Sequence, residues 1–322
     1  MNNQPLLADL RLFCTLVRER GFAAAARALG VSNAYVSKRI ALLEQSLQVK
    51  LLHRTTRSVA VTEQGGVVLQ WALRILEDVD QMRDAVSSGQ GAPSGLLRIC
   101  TSSGFGRNRV APAISALALR YPALEVQLEL LDRPVDLIGE GFHLDIRVGE
   151  AHEPRLMARR IAANQRVLCA APSYLARHGA PATLAELAQH RCIVIRERDQ
   201  GHEHHSGRWL LAGPDGVEAV KVAGPLSASN GEIVHQWALD GHGIILRSMW
   251  DVGPALARGE LLRVLPAYAQ PADVWAVYAS RLSTSAKVRV CVEFIEQWLA
   301  QEAAQASVSS STLAERIQVT RG

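Results

Sequence analysis

Two helical runs joined by only three residues constrain the first fifty positions of this chain. Ala23 to Leu29 is a short, alanine-rich helix and Asn33 to Leu47 a longer one, so Gly30-Val31-Ser32 must turn within its own length. Glycine takes positive φ readily and serine caps the helix that follows, which suits a tight turn. An earlier helix, Leu7 to Arg20, places Leu10, Phe13, Leu16 and Val17 at helical spacing, with Gly21 expected to stop it. Val36, Ile40, Leu43 and Leu47 form the buried stripe of the third helix. Asn33, Ala34, Tyr35, Ser37, Lys38 and Arg39 are left on its other faces. This is helix-turn-helix geometry, in which the third helix offers its polar end to the major groove of DNA. Asn and Lys hydrogen-bond base edges, Ser donates or accepts, and Ala34 suits a thymine methyl. Leu51 to Val61 then reads as two short strands around a basic tip, a wing that would set Arg54 and Arg57 beside phosphates or in the minor groove.

Charge agrees with that placement. From Arg20 to Ala60 the chain carries Arg20, Arg27, Lys38, Arg39, Lys50, Arg54 and Arg57 against a single acid, Glu44, an excess larger than the +4 of the whole chain. Such a local excess is the footprint of a phosphate-binding surface. A solvated basic face on an ordinary three-helix bundle with an exposed hairpin is the plainer alternative.

Downstream, Thr62 is a candidate N-cap and Glu63 lies in the first turn of a helix expected to reach Ser87. Val68, Ala72, Ile75, Val79, Met82 and Val86 follow a heptad spacing. About 26 helical residues span about 40 Å, so this seam is expected to pair with the same helix of a second subunit. Packing within its own chain is the alternative. Ser87 to Gly95, rich in Ser and Gly, reads as a hinge. Beyond it strands alternate with helices, an α/β pattern. Strands are expected at Leu96–Cys100, Leu124–Leu130, Leu144–Val148, Arg166–Ala171, Cys192–Arg196, Gly243–Arg247 and Val274–Ala279, with helices at Arg109–Arg120, Asn230–Leu239 and Ser285–Leu299.

The run from Phe22 to Glu44, followed by Leu51-Leu-His-Arg-Thr-Thr-Arg57 and Val61-Thr-Glu-Gln-Gly65, resembles the LysR-type transcriptional regulators. Two positions depart from the family pattern: Gln48 stands where Gly is common and Leu52 where Phe is common. The resemblance implies a winged helix-turn-helix DNA-binding domain over 1–61, a linker and dimerisation helix over 62–89, and a hinge over 90–95. It implies an effector-binding domain over 96–300, two α/β lobes similar to a type 2 periplasmic binding protein. The first lobe would hold 96–163 and 268–300, the second 164–267. Residues 301–322, rich in Ser, Ala, Gln and Thr, read as a disordered tail. The stretch from Gln236 to Ser248 resembles the branch that includes regulators of tartrate and malate breakdown, which makes a hydroxy-dicarboxylate the first expectation for the effector.

Thr101, Ser102 and Ser103 end the first effector-domain strand just before a helix, and Ser229 and Asn230 similarly precede the second-lobe helix. Hydroxyls and unpaired N–H groups at helix starts suit an anion, so two such ends facing one cleft would clamp a small carboxylate. Arg147 matches the family's lobe-edge arginine and would add a bidentate contact. His204, in a Gly-, His- and Arg-rich segment near the cleft, completes the candidate set. Ordinary helix caps and a structural ion pair at Arg147 are the alternatives. His202, Glu203, His204 and His205 lack the i,i+4 spacing of a zinc site, and Gly104 to Arg109 lacks the third glycine of a dinucleotide fingerprint. No metal, cofactor or catalytic constellation is therefore expected, and an enzyme is the least favoured reading. Five dispersed cysteines fit reduced thiols; a redox-responsive regulator would have to use Cys169 and Cys192. With neither a secretory leader nor a membrane-length apolar run, the expected setting is the cytoplasm. The expected partners are double-stranded DNA, an organic acid and further copies as a homodimer or dimer of dimers, with RNA polymerase as a further candidate.

Overall fold

The computed structural model describes residues 5–54, 59–87, 93–150, 154–196, 206–279 and 285–319, and its contacts divide the chain into two units, Met1–Pro93 with Asp136–Phe142 and Ser94–Val135 with His143–Gly322.

The first unit opens with α1 (Leu7–Glu19), α2 (Phe22–Leu29) and α3 (Asn33–Leu47). The left-handed residue ending α1 is Arg20, not Gly21, which is extended and starts α2. Gly30 takes φ 66° to end α2, and the Ser32 hydroxyl accepts the Tyr35 N–H at 3.1 Å to cap α3. The antiparallel strands β1 (Leu52–Arg54) and β2 (Val59–Val61) form the wing, with Leu52 opposite Val61. Phe13, Leu16, Val36, Ile40, Leu43, Leu51 and Leu52 make one core, so the unusual Leu52 is fully engaged. Gln48 adopts φ 55°, the conformation that glycine takes at little cost.

The helix α4 (Glu63–Ser87) leaves this core at Thr62, whose hydroxyl accepts the Gly65 N–H at 2.9 Å and donates to Lys50 O at 2.6 Å. A Cβ on Gly65 would lie 2.1 Å from Leu51 O, so only glycine lets α4 start against the wing. Ala72 is buried in the helix-turn-helix core and Val68 packs against it. This corrects the expected heptad seam: the first two of its positions serve the helix's own domain. Among the described side chains, the exposed apolar stripe keeps Ile75 and Met82 of that seam and adds Val67 and Trp71, with Trp71 56% and Met82 59% exposed.

Among its described residues the second unit contains two large sheets and one parallel two-stranded sheet, Ser227–Ala228 on Val194–Ile195. In chain order it comprises β3 (Gly95–Thr101), α5 (Ser103–Phe105), which runs through a π turn (Gly106–Val110) into α6 (Ala111–Arg120), then β4 (Leu124–Leu130), β5 (Leu144–Val148), β6 (Leu156–Ala162) and β7 (Gln165–Ala170). There follow α7 (Pro172–His178), β8 (Val194–Ile195), β9 (Ser206–Gly213), β10 (Gly216–Ala223), β11 (Ser227–Ala228), α8 (Gly231–Leu239), β12 (Ile245–Ser248) and α9 (Met249–Ala257). The last elements are β13 (Leu262–Arg263), β14 (Ala269–Pro271), β15 (Val274–Ala279) and α10 (Ala286–Val319). The first sheet runs β4-β3-β5-β15-β6, and the second runs β10-β9-β14-β7-β12 with β13 also on β7. β3 is parallel to β4 and β5, so the segments after Thr101 and Leu130 leave the same edge. That edge is where α/β sheets place ligands.

The chain crosses between sheets twice. Asn164 and Asp273 pin both crossings: Asn164 donates its backbone N–H to Asp273 and its side-chain amide to Ala272 O and Ser248 Oγ. The Arg160 guanidinium hydrogen-bonds Asp273 and holds that carboxyl below the usual range. Because β14 belongs to the second sheet, the return crossing lies at Ala272–Asp273 rather than at 268. The expected tail is also corrected: α10 continues through Val319, since its Ala, Gln and Glu residues favour helix. Among the described residues, no helix is long and apolar enough to cross a membrane.

The strained Gln48 yields a stability test. Gln48→Gly should stabilise the first unit by about 0.5–1 kcal/mol, seen as slower hydrogen exchange of α3 amides. Faster exchange would contradict the account of that turn.

Candidate nucleic-acid interface and interlobe site

Two carboxylates fix the underside of α3. Asp9, on α1, accepts bidentate hydrogen bonds from Arg39 at 2.6 Å each, which raises the guanidinium's affinity for its proton further. Arg39 is thus corrected as a DNA contact: its fork is committed inside the domain and orients α3 on α1. At the far end, Glu44 is only 3% exposed and accepts the Leu51 N–H at 3.0 Å and the Lys50 ammonium at 2.8 Å. Burial alone would raise its pKa, but these donors outweigh it and the carboxyl lies below its ordinary value. The C-terminal half of α3 is therefore tied to the segment that leads into β1.

Asn33, Ala34, Tyr35 and Lys38 of α3 are exposed and Ser37 is half-buried. Positions 33, 34, 37 and 38 share one helical face, and the positive end of the helix dipole points along it toward any phosphate. Arg54 ends β1 opposite Val59, and Arg57 lies outside the described residues. Sequence reasoning missed Asp9 and Glu44 because their partners are 30 and 6–7 positions away.

In the second unit one carboxylate bridges the two lobes. Asp132, just after β4, accepts the Ser103 N–H at 2.8 Å from the start of α5 and the Asn230 side-chain amide at 2.7 Å from the cap of α8. Asn230 Oδ1 meanwhile accepts the Glu232 and Ile233 N–H groups, as an N-cap should. Beside this contact Arg107 pairs with Glu232 at 3.0 Å, and Arg109 donates to Trp250 O at 3.2 Å. The Phe105 and Trp250 rings pack edge to face at 5.1 Å between centroids.

The other expected effector residues separate. The Thr101 hydroxyl is buried and donates to Ile146 O at 2.7 Å, so it is occupied within the sheet. Ser102 is half-buried at the N-cap of α5 with no side-chain cap bond. Arg147 pairs with Asp145 on its own strand at 2.8 Å, the structural alternative weighed above. Ser229 is exposed, and His204 lies outside the described residues. Asp132, Arg107, Glu232 and Trp250 were missed. Asp132 had one readable signal, its position after a strand parallel and adjacent to β3.

Cys169 and Cys192 do not form a redox pair. Both are buried, and burial pushes each thiol up to about 12. Cys169 packs with Val167 and Ala171, while Cys192 packs with Leu168 and Ala170, which alternate to the other face of β7.

Residues 7–66 match the description "Bacterial regulatory helix-turn-helix protein, lysR family", and residues 76–300 match "LysR substrate binding domain". The chain is 57% identical over 301 residues to the HTH-type transcriptional regulator DmlR of Escherichia coli K12, covering 94% of this chain and 97% of that protein. It is 45% identical over 301 residues to the HTH-type transcriptional activator TtdR of the same strain, covering 94% and 96%. Among solved structures, the full-length Vibrio cholerae virulence activator AphB aligns with TM-score 0.57 at 27% identity, covering 90% of this chain and 98% of AphB. CrgA of Neisseria meningitidis, a LysR-type transcriptional regulator, aligns with TM-score 0.55 at 28% identity, covering 90% and 98%.

The two basic neighbours on α3 should part company under mutation. Lys38→Ala is expected to leave the melting temperature unchanged and weaken binding to a duplex from the chain's own upstream region by about 1–3 kcal/mol. Arg39→Ala strands the buried Asp9 and should destabilise the first unit by about 3 kcal/mol. Equal effects of the two on stability would contradict this assignment.

Proposed function

Because this chain belongs to the LysR family of bacterial helix-turn-helix regulators, and is a transcriptional regulator rather than an enzyme, we propose that it couples a specific operator to a small hydroxy-dicarboxylate in the cytoplasm. Asn33, Ala34, Tyr35, Ser37 and Lys38 read base edges, while Arg54 and Arg57 of the wing grip phosphate or minor groove. Two copies, or a dimer of dimers, read a symmetric site. The exposed stripe Val67, Trp71, Ile75 and Met82 on α4 supports that pairing, and RNA polymerase is a further partner for a regulator bound at a promoter. The domain limits proposed are 1–61, 62–89, 90–95 and 96–300, with the return crossing moved to 272 and α10 continuing through Val319.

One observation carries the effector reading: a backbone N–H from one lobe and a side-chain amide from the other converge on a single carboxylate position. Donors so arranged suit an organic acid. Ser102 and Ser103 lie on one side of that position and Ser229 and Asn230 on the other. Arg147 would join by exchanging Asp145 for the ligand. An effector that binds one lobe arrangement more tightly than another shifts their balance, and by linkage the affinity for DNA shifts with it.

Calorimetric titration of the full chain with malate and tartrate stereoisomers tests this. At least one acid should bind, and Ser102→Ala should weaken it by about 1 kcal/mol. Absence of binding by all of them would contradict the effector class.

A further inference from the structure

We infer that Asp132 is a built-in competitor of the effector, a latch whose carboxylate holds the interlobe donors until an incoming carboxylate takes them. This rests on the effector reading above and adds how that site is regulated.

Three features support it. The contact is bipartite: Oδ1 accepts from Ser103 in the first lobe and Oδ2 from Asn230 in the second, so one side chain spans the two. Its chemistry is that of the proposed ligand, since a carboxylate accepting two donors is replaced like for like by another carboxylate. Charge is then conserved at the donors, and the displaced Asp132 returns to water. Asp132 is also exposed, with Ser103 and Asn230 only half-buried, so the exchange needs no prior opening of a core.

The neighbouring groups make the latch releasable. Arg107 and Glu232 form a parallel interlobe ion pair, with Arg107 64% exposed, and such exposed pairs contribute little. Asn230 keeps its capping role through Oδ1 whether or not Nδ2 is engaged. Losing Asp132 therefore frees a donor without unravelling α8. The latch sets the acid concentration at which the regulator responds, because each effector molecule must displace an intramolecular rival.

The test uses the full chain as wild type, Asp132→Asn, Asp132→Ala and the exchange pair Asp132→Asn with Asn230→Asp. Calorimetry with malate and tartrate reads affinity, and hydrogen exchange of the peptide containing Ser103 reads the latch without any ligand. Asp132→Asn and Asp132→Ala should bind the acid about tenfold more tightly and exchange the Ser103 amide faster. The exchange pair should restore protection partway, since an amide at 132 can donate to a carboxylate at 230. Equal or weaker acid binding by both single variants overturns the competition and leaves the effector reading standing. Unchanged Ser103 protection in both overturns the latch itself. Failure of both acids to bind any of the proteins overturns the effector reading and the competition together.

Discussion

The Asp9–Arg39 pair is the interaction on which the DNA-reading surface depends. A helix can present side chains to a groove only if its roll about its own axis is fixed. Val36, Ile40 and Leu43 set that roll coarsely by burying one stripe of α3 in the core. The bidentate fork from Arg39 to Asp9 supplies direction, since two parallel hydrogen bonds define a plane as well as a distance. Glu44 does the same at the far end by holding Lys50 and the Leu51 N–H. The exposed polar face of α3 is thus organised by charges that pair with one another inside the domain.

A similar logic governs the effector unit, at lower cost to break. Asn164 and Asp273 hold the two crossings with hydrogen bonds that include backbone groups. The contacts on the α5 side, through Asp132, Arg107 and Arg109, are side-chain bridges between elements of different lobes. A unit pinned at its crossings and fastened elsewhere by exchangeable pairs has the makings of a two-state device, in which ligand chemistry can bias one state.

Much of this was legible in the residues. The limits of α3 and the ends of α4 followed from Ser32, Thr62 and the apolar period, and Leu124–Leu130, Leu144–Val148 and Val274–Ala279 matched their strands. Strand β6 escaped because Arg159 and Arg160 interrupt its apolar pattern on a sheet edge, where charge is tolerated. The hairpin of β9 and β10 escaped because its turn, Pro214-Asp215, was not read as one. At the sites, exposed polar residues on α3 could be read from helical spacing. What could not be read was commitment: Arg39 and Lys38 are neighbours of like charge, and only tertiary pairing separates the internally bound residue from the exposed one. Thr101 and Arg147 teach the same lesson, each spent on a partner from the sheet. The seam on α4 was misjudged only at its start, where Val68 and Ala72 pack into the helix's own domain while Ile75 and Met82 stay exposed, because the period alone does not say which domain an apolar position serves.

The central claim is that α3 reads duplex sequence while the surrounding basic groups supply charge. It is tested most directly by measuring affinity for a duplex from the chain's own upstream region and for a random duplex of equal length, across a salt series. The account predicts a preference for the former of about a thousandfold or more, with binding to both falling as salt rises by about 0.9 log units per log unit for each phosphate contacted. Equal affinity for the two duplexes at every salt concentration would contradict it.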